Sequence, residues 1–387
     1  MFADIPDSTK PDMTVPESLQ VELERRIVDP TQFSADRSAF VDINLPRSSG
    51  KTSFSFIGAG VTQNEEATTN IVEPHGFCVG AAGLQPGMVN NAHLHYTAEV
   101  FVCLSGQWKM MVGRYNEQVL SIGPGDIFSV PTWVFRSFEN VGSDEGFLFT
   151  FLGGDDPGGI IWSPEVLRQA RATGLVLNET EKVVRLADLS NGERTLLPLS
   201  EEVAARVESY SDDEIASRLI RFDSRRWQDG ALLSSMIGPN TVEVAPVIGT
   251  GLNQHRRAFS EILYPHGFSV NWIRLAAGSS LGLHRLAVPA VLLTMFSEVE
   301  VEFGEDELVR KRVVPGSVVS LPAGTWRNIR TSGVDPAEII VAVLGDGRVP
   351  IAWAPDVQRL ARQNGFTVDA GGCIAETALV DRQFGRP

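Results

Sequence analysis

Gly87-Met-Val-Asn-Asn-Ala-His93-Leu-His95-Tyr-Thr-Ala-Glu99-Val-Phe-Val-Cys-Leu-Ser-Gly106 is the stretch on which the fold turns. Its second half, Val100 to Leu104, is a short apolar run rich in branched and aromatic residues, the pattern of a buried strand. Side chains in an extended strand alternate faces with period two. Residues 93, 95 and 99 are all odd, so this parity predicts that they share one strand face. Two imidazoles and a carboxylate on one face can converge on a single divalent metal. Such a donor set suits iron, manganese, nickel, cobalt or zinc.

Outward from this stretch, the chain repeats itself. Trp162-Ser-Pro-Glu-Val-Leu-Arg-Gln-Ala-Arg-Ala-Thr-Gly174 returns as Trp353-Ala-Pro-Asp-Val-Gln-Arg-Leu-Ala-Arg-Gln-Asn-Gly365, with seven of 13 positions identical at an offset of 191 residues. The same offset relates Gly58-Ala-Gly60 to Gly249-Thr-Gly251, Pro74-His-Gly-Phe77 to Pro265-His-Gly-Phe268, and Gly125 and Pro131 to Gly316 and Pro322. This implies a duplicated unit with about 120 residues in matching order per copy. Within each copy, short apolar runs such as Val291 to Phe296 are punctuated by Gly-Pro-Gly at 123–125 and Pro-Gly at 315–316. Many short strands with regular turns favour a sandwich or barrel. Each copy should end in one short helix. In the first, Ser163 is the expected N-cap, Pro164 the first helical residue and Gly174 the terminator.

The chain has 387 residues, of which 43% are hydrophobic and 21% charged, and a net charge of −15. That length suggests two or three domains and a sizeable core. The acidic balance disfavours nucleic acid and anionic membranes as partners. Cys78, Cys103 and Cys373 are too few and too scattered for a disulfide framework or a cysteine zinc site. Met1 to Gln20 lacks the basic start and apolar core of a signal peptide, and no apolar run is long enough to span a membrane. The expectation is a cytoplasmic protein.

The pattern Gly-x5-His-x-His-x3-Glu-x6-Gly, carried by Gly87, His93, His95, Glu99 and Gly106, resembles the first signature motif of the cupin superfamily at every defined position. The second motif, Gly-x5-Pro-x-Gly-x2-His-x3-Asn, is matched by Gly125, Pro131 and Asn140, but Trp133 stands at the glycine and Arg136 at the histidine. The resemblance covers both repeats and implies a mainly β protein of two tandem double-stranded β-helix (jelly-roll) barrels, a bicupin, with short helices and a partly helical connector. The expected boundaries are an N-terminal extension 1–50, an N-terminal barrel 51–177, a charged connector 178–235 and a C-terminal barrel 236–387. The connector should hold a helix at Leu199 to Ser209, packed across both barrels.

The third histidine of such sites is arginine here, and a guanidinium has five donors and no acceptor, so it cannot ligate a metal. In one reading His93, His95 and Glu99 hold the metal and Arg136 clamps an anionic substrate. In the other, Arg136 pairs with Glu99 or another acid and no metal binds. The second copy keeps His284 but has Leu286 at the second histidine and either Ala290 or Val291 at the glutamate, with Arg327 repeating the arginine. It should be metal-free, and the recurrence of arginine favours a structural role for that position.

The resemblance implies a metal-dependent oxidoreductase, a dioxygenase using Fe(II) to cleave a small aromatic or dicarbonyl acid, acting on a small anionic molecule as a homodimer. Manganese, nickel or zinc would instead suit a non-redox lyase, isomerase or decarboxylase. A non-catalytic ligand-binding bicupin is the remaining alternative. His75 and His266, equivalent in the two copies, read as turn-closing residues, His255 as surface and Cys103 as core filling. Trp108, Phe135 and Phe138 could line an aromatic pocket. The glycine-rich run from Gly153 to Gly159 has no phosphate-binding spacing.

Overall fold

A computed structural model describes residues 19–305 and 308–381. The stretch read as lacking a signal peptide, and the start of the N-terminal extension, lie outside the described residues up to position 18. In chain order the first strands are β1 (Ile27–Val28), β2 (Thr52–Ile57), β3 (Phe77–Leu84), β4 (Val89–Leu94), β5 (Glu99–Ser105), β6 (Trp108–Val112), β7 (Gln118–Ile122), β8 (Ile127–Val130), β9 (Arg136–Asn140), β10 (Gly146–Gly153) and β11 (Ile161–Trp162). After the hairpin β12 (Leu175–Leu177) and β13 (Val183–Arg185) come β14 (Leu219–Ile220), β15 (Val242–Ile248), β16 (Phe268–Leu275), β17 (His284–Leu286) and β18 (Ala290–Leu293). The series continues with β19 (Val299–Phe303), β20 (Val309–Val313), β21 (Val318–Leu321), β22 (Arg327–Thr331), β23 (Ala337–Leu344) and β24 (Ile351–Trp353).

Two jelly-roll barrels result, each made of a six-stranded and a five-stranded antiparallel sheet. The first barrel has the orders β14-β8-β5-β10-β3-β2 and β11-β4-β9-β6-β7. The second has β1-β21-β18-β23-β16-β15 and β20-β19-β22-β17-β24, the same order strand for strand. The duplication thus extends to the sheet topology. It also extends further than the expected boundaries: β1 belongs to the second barrel and β14 to the first, so each copy lends its leading strand to the other.

The six-stranded sheets of the two barrels pack against each other. Val100, Val102, Phe149 and Phe151 of one share a buried cluster with Val270, Trp272, Val291 and Ile340 of the other. On the opposite face of β5, Phe101 and Cys103 belong to the interior of the first barrel, with Trp108 and Phe138. A sheet covered on both faces needs no polar alternation, and this explains the unbroken apolar run after Glu99.

The helix Pro164–Ala172 begins as expected, with the Ser163 hydroxyl accepting from the amide of Val166 at 3.4 Å, and Gly174 at φ +87 follows its last turn. The connector helix is shorter than its apolar spacing suggests, only Glu201–Ala204. Its only buried residue is Ala204, so little packing extends it. The connector does join the barrels: β14 pairs with β8, and the Phe222 ring lies 5.7 Å from Trp272. No helix among the described residues is long and apolar enough to cross a membrane.

Candidate metal centre

His93 lies on β4, paired with Arg136 of β9 on one side and Trp162 of β11 on the other. A bulge in the pairing between Asn90 and His93 swings the end of the strand, and His95 follows immediately after it. Glu99 starts β5, which belongs to the other sheet. Contrary to the expectation from parity, the three residues do not share a strand face; the chain crosses from one sheet to the other between His95 and Glu99. They meet because both sheets direct these positions into the same barrel interior. One ligand atom from each of His93, His95 and Glu99 lies within 4.8 Å of the others, and all three residues are buried.

Both imidazoles are oriented by carbonyls. His93 Nδ1 is 2.7 Å from the carbonyl oxygen of Asn91, and His95 Nδ1 is 3.0 Å from that of Gly159. A carbonyl only accepts, so each Nδ1 carries the proton and each Nε2 offers its lone pair. Burial, reinforced by the positive charge of Arg136, pushes His93 down to about 3 and holds His95 well below its ordinary value. Both are therefore neutral in the physiological range, the form that ligates metals. The glycine-rich loop 153–159 thus contributes the acceptor that orients His95.

Burial pushes Glu99 up to about 7, with Arg136 opposing the shift. Its Oε2 stands 3.7 Å from His95 Nε2 and 3.8 Å from Arg136 Nη1, beyond hydrogen-bond reach of both. Glu99 Oε2, Arg136 Nε and Arg136 Nη1 are buried without hydrogen-bond partners. Such orphaned atoms are costly unless something sits among them. Two lone pairs and one carboxylate oxygen facing each other fit a divalent cation. Ligand atoms around one ion with bonds of about 2.1 Å lie at most about 4.2 Å apart, so the cluster would contract by about half an ångström.

Arg136 is fully buried and donates through Nη2 to the carbonyl oxygen of Pro131 at 2.6 Å. Burial lowers it to about 10. It stands beside Glu99, with Nη1 3.8 Å from Oε2, and is not among the residues that line the cavity at the site. The second barrel repeats the arrangement. Arg327 Nη1 donates to Pro322 O at 2.9 Å, His284 pairs with Arg327, and His284 Nδ1 meets Gly282 O at 2.7 Å. There the glutamate position is Ala290, because Ala290 faces Leu321 and Val343 as Glu99 faces Val130 and Leu152. Leu286 and Ala290, at the positions of His95 and Glu99, are part of the apolar core of that barrel.

Trp133 adopts φ +57, the left-handed conformation that the glycine of the second motif supplies; Gly324, its counterpart, has φ +75. A side chain there costs roughly 1 kcal/mol. The Trp133 ring lies edge-on to Tyr96 at 5.2 Å.

The cavity has an interior of about 70 Å³. His93, His95, Glu99 and Asn90 form its polar end, and Phe54, Val79, Leu152, Ile160, Trp162 and Phe138 are among its walls. Of the aromatic residues expected in a pocket, only Phe138 lines it; Trp108 and Phe135 are buried core. Asn90, Lys51 and Asp42 escape sequence reading altogether. Lys51 Nζ is buried between Asp42 Oδ1 at 2.5 Å and Asn90 Oδ1 at 2.6 Å. No local spacing announces a network whose members lie 39 residues apart.

Residues 82–151 match the family model of the cupin domain. No curated protein matches the sequence. Among solved structures, the chain is similar to vicilin from Corylus avellana (hazelnut), at 12% identity and a TM-score of 0.48 over 83% of this chain and 86% of that one. It is similar to oxalate decarboxylase from Bacillus subtilis, at 11% identity and a TM-score of 0.49 over 85% and 78%. It is also similar to the formate complex of oxalate decarboxylase from Lactobacillus farciminis, at 10% identity and a TM-score of 0.48 over 83% and 86%. Residues 82–151, the motif-bearing strands of the first barrel, are thus a cupin domain, and the second barrel repeats the strand order of the first.

Proposed function

We propose that the first barrel holds one divalent metal through His93 Nε2, His95 Nε2 and the Glu99 carboxylate, and that the protein is a metal-dependent dioxygenase cleaving a small aromatic or dicarbonyl acid. The observation that carries this reading is the convergence of two correctly tautomerised imidazoles on an orphaned, buried carboxylate oxygen. Two histidines and one carboxylate with arginine at the fourth position leave open coordination sites, the arrangement associated with non-haem Fe(II). When bound, Fe(II) would supply Lewis acidity and one-electron access to O2. The carbonyls of Asn91 and Gly159 fix the imidazoles, and the Arg136 charge favours the ionised form of Glu99. The apolar walls exclude water from the polar end.

A non-redox lyase, isomerase or decarboxylase with manganese, nickel or zinc uses the same ligands. Elemental analysis of protein purified without a chelating tag, beside a His93→Ala, His95→Ala variant, tests the metal. O2 uptake with a panel of hydroxylated aromatic acids separates the reactions. About one iron per chain, absent from the variant, with O2 consumed, supports the dioxygenase. Zinc, manganese or nickel without O2 uptake supports the lyase. Organic ligand and no metal, even after reconstitution, leaves a binding protein.

A further inference from the structure

The polar end of the cavity contains one donor that the metal reading does not use. A lysine ammonium can only donate, so the Asn90 atom 2.6 Å from Lys51 Nζ is the amide oxygen, and the side-chain orientation follows without ambiguity. The amide nitrogen then lies beside the His93 ring, 3.5 Å from Nδ1. That Nδ1 is already a donor to Asn91 O, so it accepts nothing from Asn90. The N–H groups of Asn90 remain available on the cavity wall.

Lys51 is itself locked. It is 4% exposed, paired with a fully buried Asp42, and flanked by the Phe40 and Trp162 rings at 4.9 and 5.6 Å. Asp42 Oδ2 also accepts from the side-chain amide of Asn91 at 2.9 Å, which ties the pair to the segment whose carbonyl orients His93. Charge and counter-charge cancel behind the wall, and what reaches the cavity is one uncharged, fixed donor.

Away from this end, the cavity presents aromatic and aliphatic walls. Ser53, Ser55, Thr62 and Thr150 bring hydroxyls, but no lysine or arginine is among the described residues that line it. An ionised group placed there would lose its hydration and meet no cation.

We propose that the cavity takes a compact molecule with one oxygen-bearing head and an apolar body, a monocarboxylate or carbonyl compound and not a dicarboxylate, and that Asn90, positioned by Lys51 and Asp42, donates to that head. The proposal rests on the cavity being the substrate site of the metal-dependent reading, and it deepens that reading by naming the substrate class.

4-Methylpentanoate and succinate test it, because they have the same number of non-hydrogen atoms and differ in an isopropyl against a second carboxylate. The full chain is first titrated calorimetrically with Mn(II), then with each acid, and the acid titrations are repeated on metal-free protein. 4-Methylpentanoate should bind at least about tenfold more tightly than succinate in both forms. Asn90→Leu should lose most of that affinity while keeping its Mn(II) affinity, and its melting temperature should fall because the buried Lys51 loses an acceptor. Lys51→Met should lower acid affinity in the same way through a wandering Asn90. If that variant does not fold, Asn90→Leu alone carries the test. Succinate binding as tightly as 4-methylpentanoate, neither acid binding, or an Asn90→Leu variant with undiminished acid affinity overturns the proposal. Failure of Mn(II) to bind overturns the metal reading instead, and the metal-free titrations still decide the ligand class.

Discussion

His75 Nε2 lies 2.8 Å from the hydroxyl of Ser320, a residue of the opposite barrel 245 positions away. The duplication supplies the mate: His266 Nε2 lies 2.7 Å from the hydroxyl of Ser129. In both, Nδ1 meets a carbonyl two residues back, Glu73 at 2.7 Å and Tyr264 at 2.6 Å, which is the turn-closing role expected of the Pro-His-Gly-Phe repeats. The same rings also latch the barrels together. Each such bond is worth about 1 kcal/mol. They cooperate with the exchanged strands, since the amide of Ser320 donates to Arg26 O and that of Ser129 to Arg218 O.

The latches make the protein acid-sensitive. Burial lowers the pKa of His75 and of His266, although the neighbouring carbonyls and Asp155 or Asp346 oppose it. The unfolded chain therefore binds protons that the folded one refuses. The contribution of the latches is fully present above the unfolded histidine value of about 6.5 and is lost as the pH drops below it. Thermal melts between about pH 5 and pH 8 should show this slope, and a His75→Gln, His266→Gln variant should reduce it, the remainder coming from His93, His95 and His284, which burial also keeps neutral.

Metal binding should appear as stabilisation. Mn(II) or anaerobic Fe(II) at about a hundred times its dissociation constant should stabilise the protein by about 2.7 kcal/mol. The same addition should leave the melting temperature of the His93→Ala, His95→Ala variant unchanged. An equal rise in both proteins would place the ion elsewhere.

Replacing Arg136 should change metal binding without destroying the fold. Arg136→Met removes two orphaned donors and one bond to Pro131, so its effect on metal-free stability should be within about 2 kcal/mol. The carboxyl of Glu99 would then lose the positive charge that restrains its upward shift. Removing a cation beside the site also relieves its repulsion of a divalent ion, so Mn(II) affinity should rise at pH 8.5, with proton competition at Glu99 eroding the gain towards pH 6.5. Calorimetric titrations at pH 6.5, 7.5 and 8.5 would check the direction.

The second barrel should be silent. His284→Ala is expected to leave the metal content per chain as in the wild type, because Leu286 and Ala290 provide no further ligands. It should destabilise the protein modestly through the loss of packing against Trp353, whose ring is 5.5 Å away. Elemental analysis with a thermal melt measures both.

By itself the sequence determined the barrel type, the duplication, the helix cap at Ser163 and the identities of His93, His95 and Glu99. These are local signals: fixed spacings, turn glycines and a repeat offset are all properties of neighbours along the chain. Even the unusual Trp133 was visible as a departure from glycine, and its positive φ shows why glycine is usual there. Tertiary structure alone decided how these three residues meet, because Glu99 and the histidines lie on different sheets and converge only when the barrel closes. It also decided that Arg136 faces Glu99, that Lys51 orients Asn90, and that His75 reaches Ser320. It assigned β1 and β14 to each other's barrels, where composition suggested only an extension and a connector. Those relationships are pairings between distant segments. Their free energy depends on which groups are desolvated together, and spacing along one chain does not encode that.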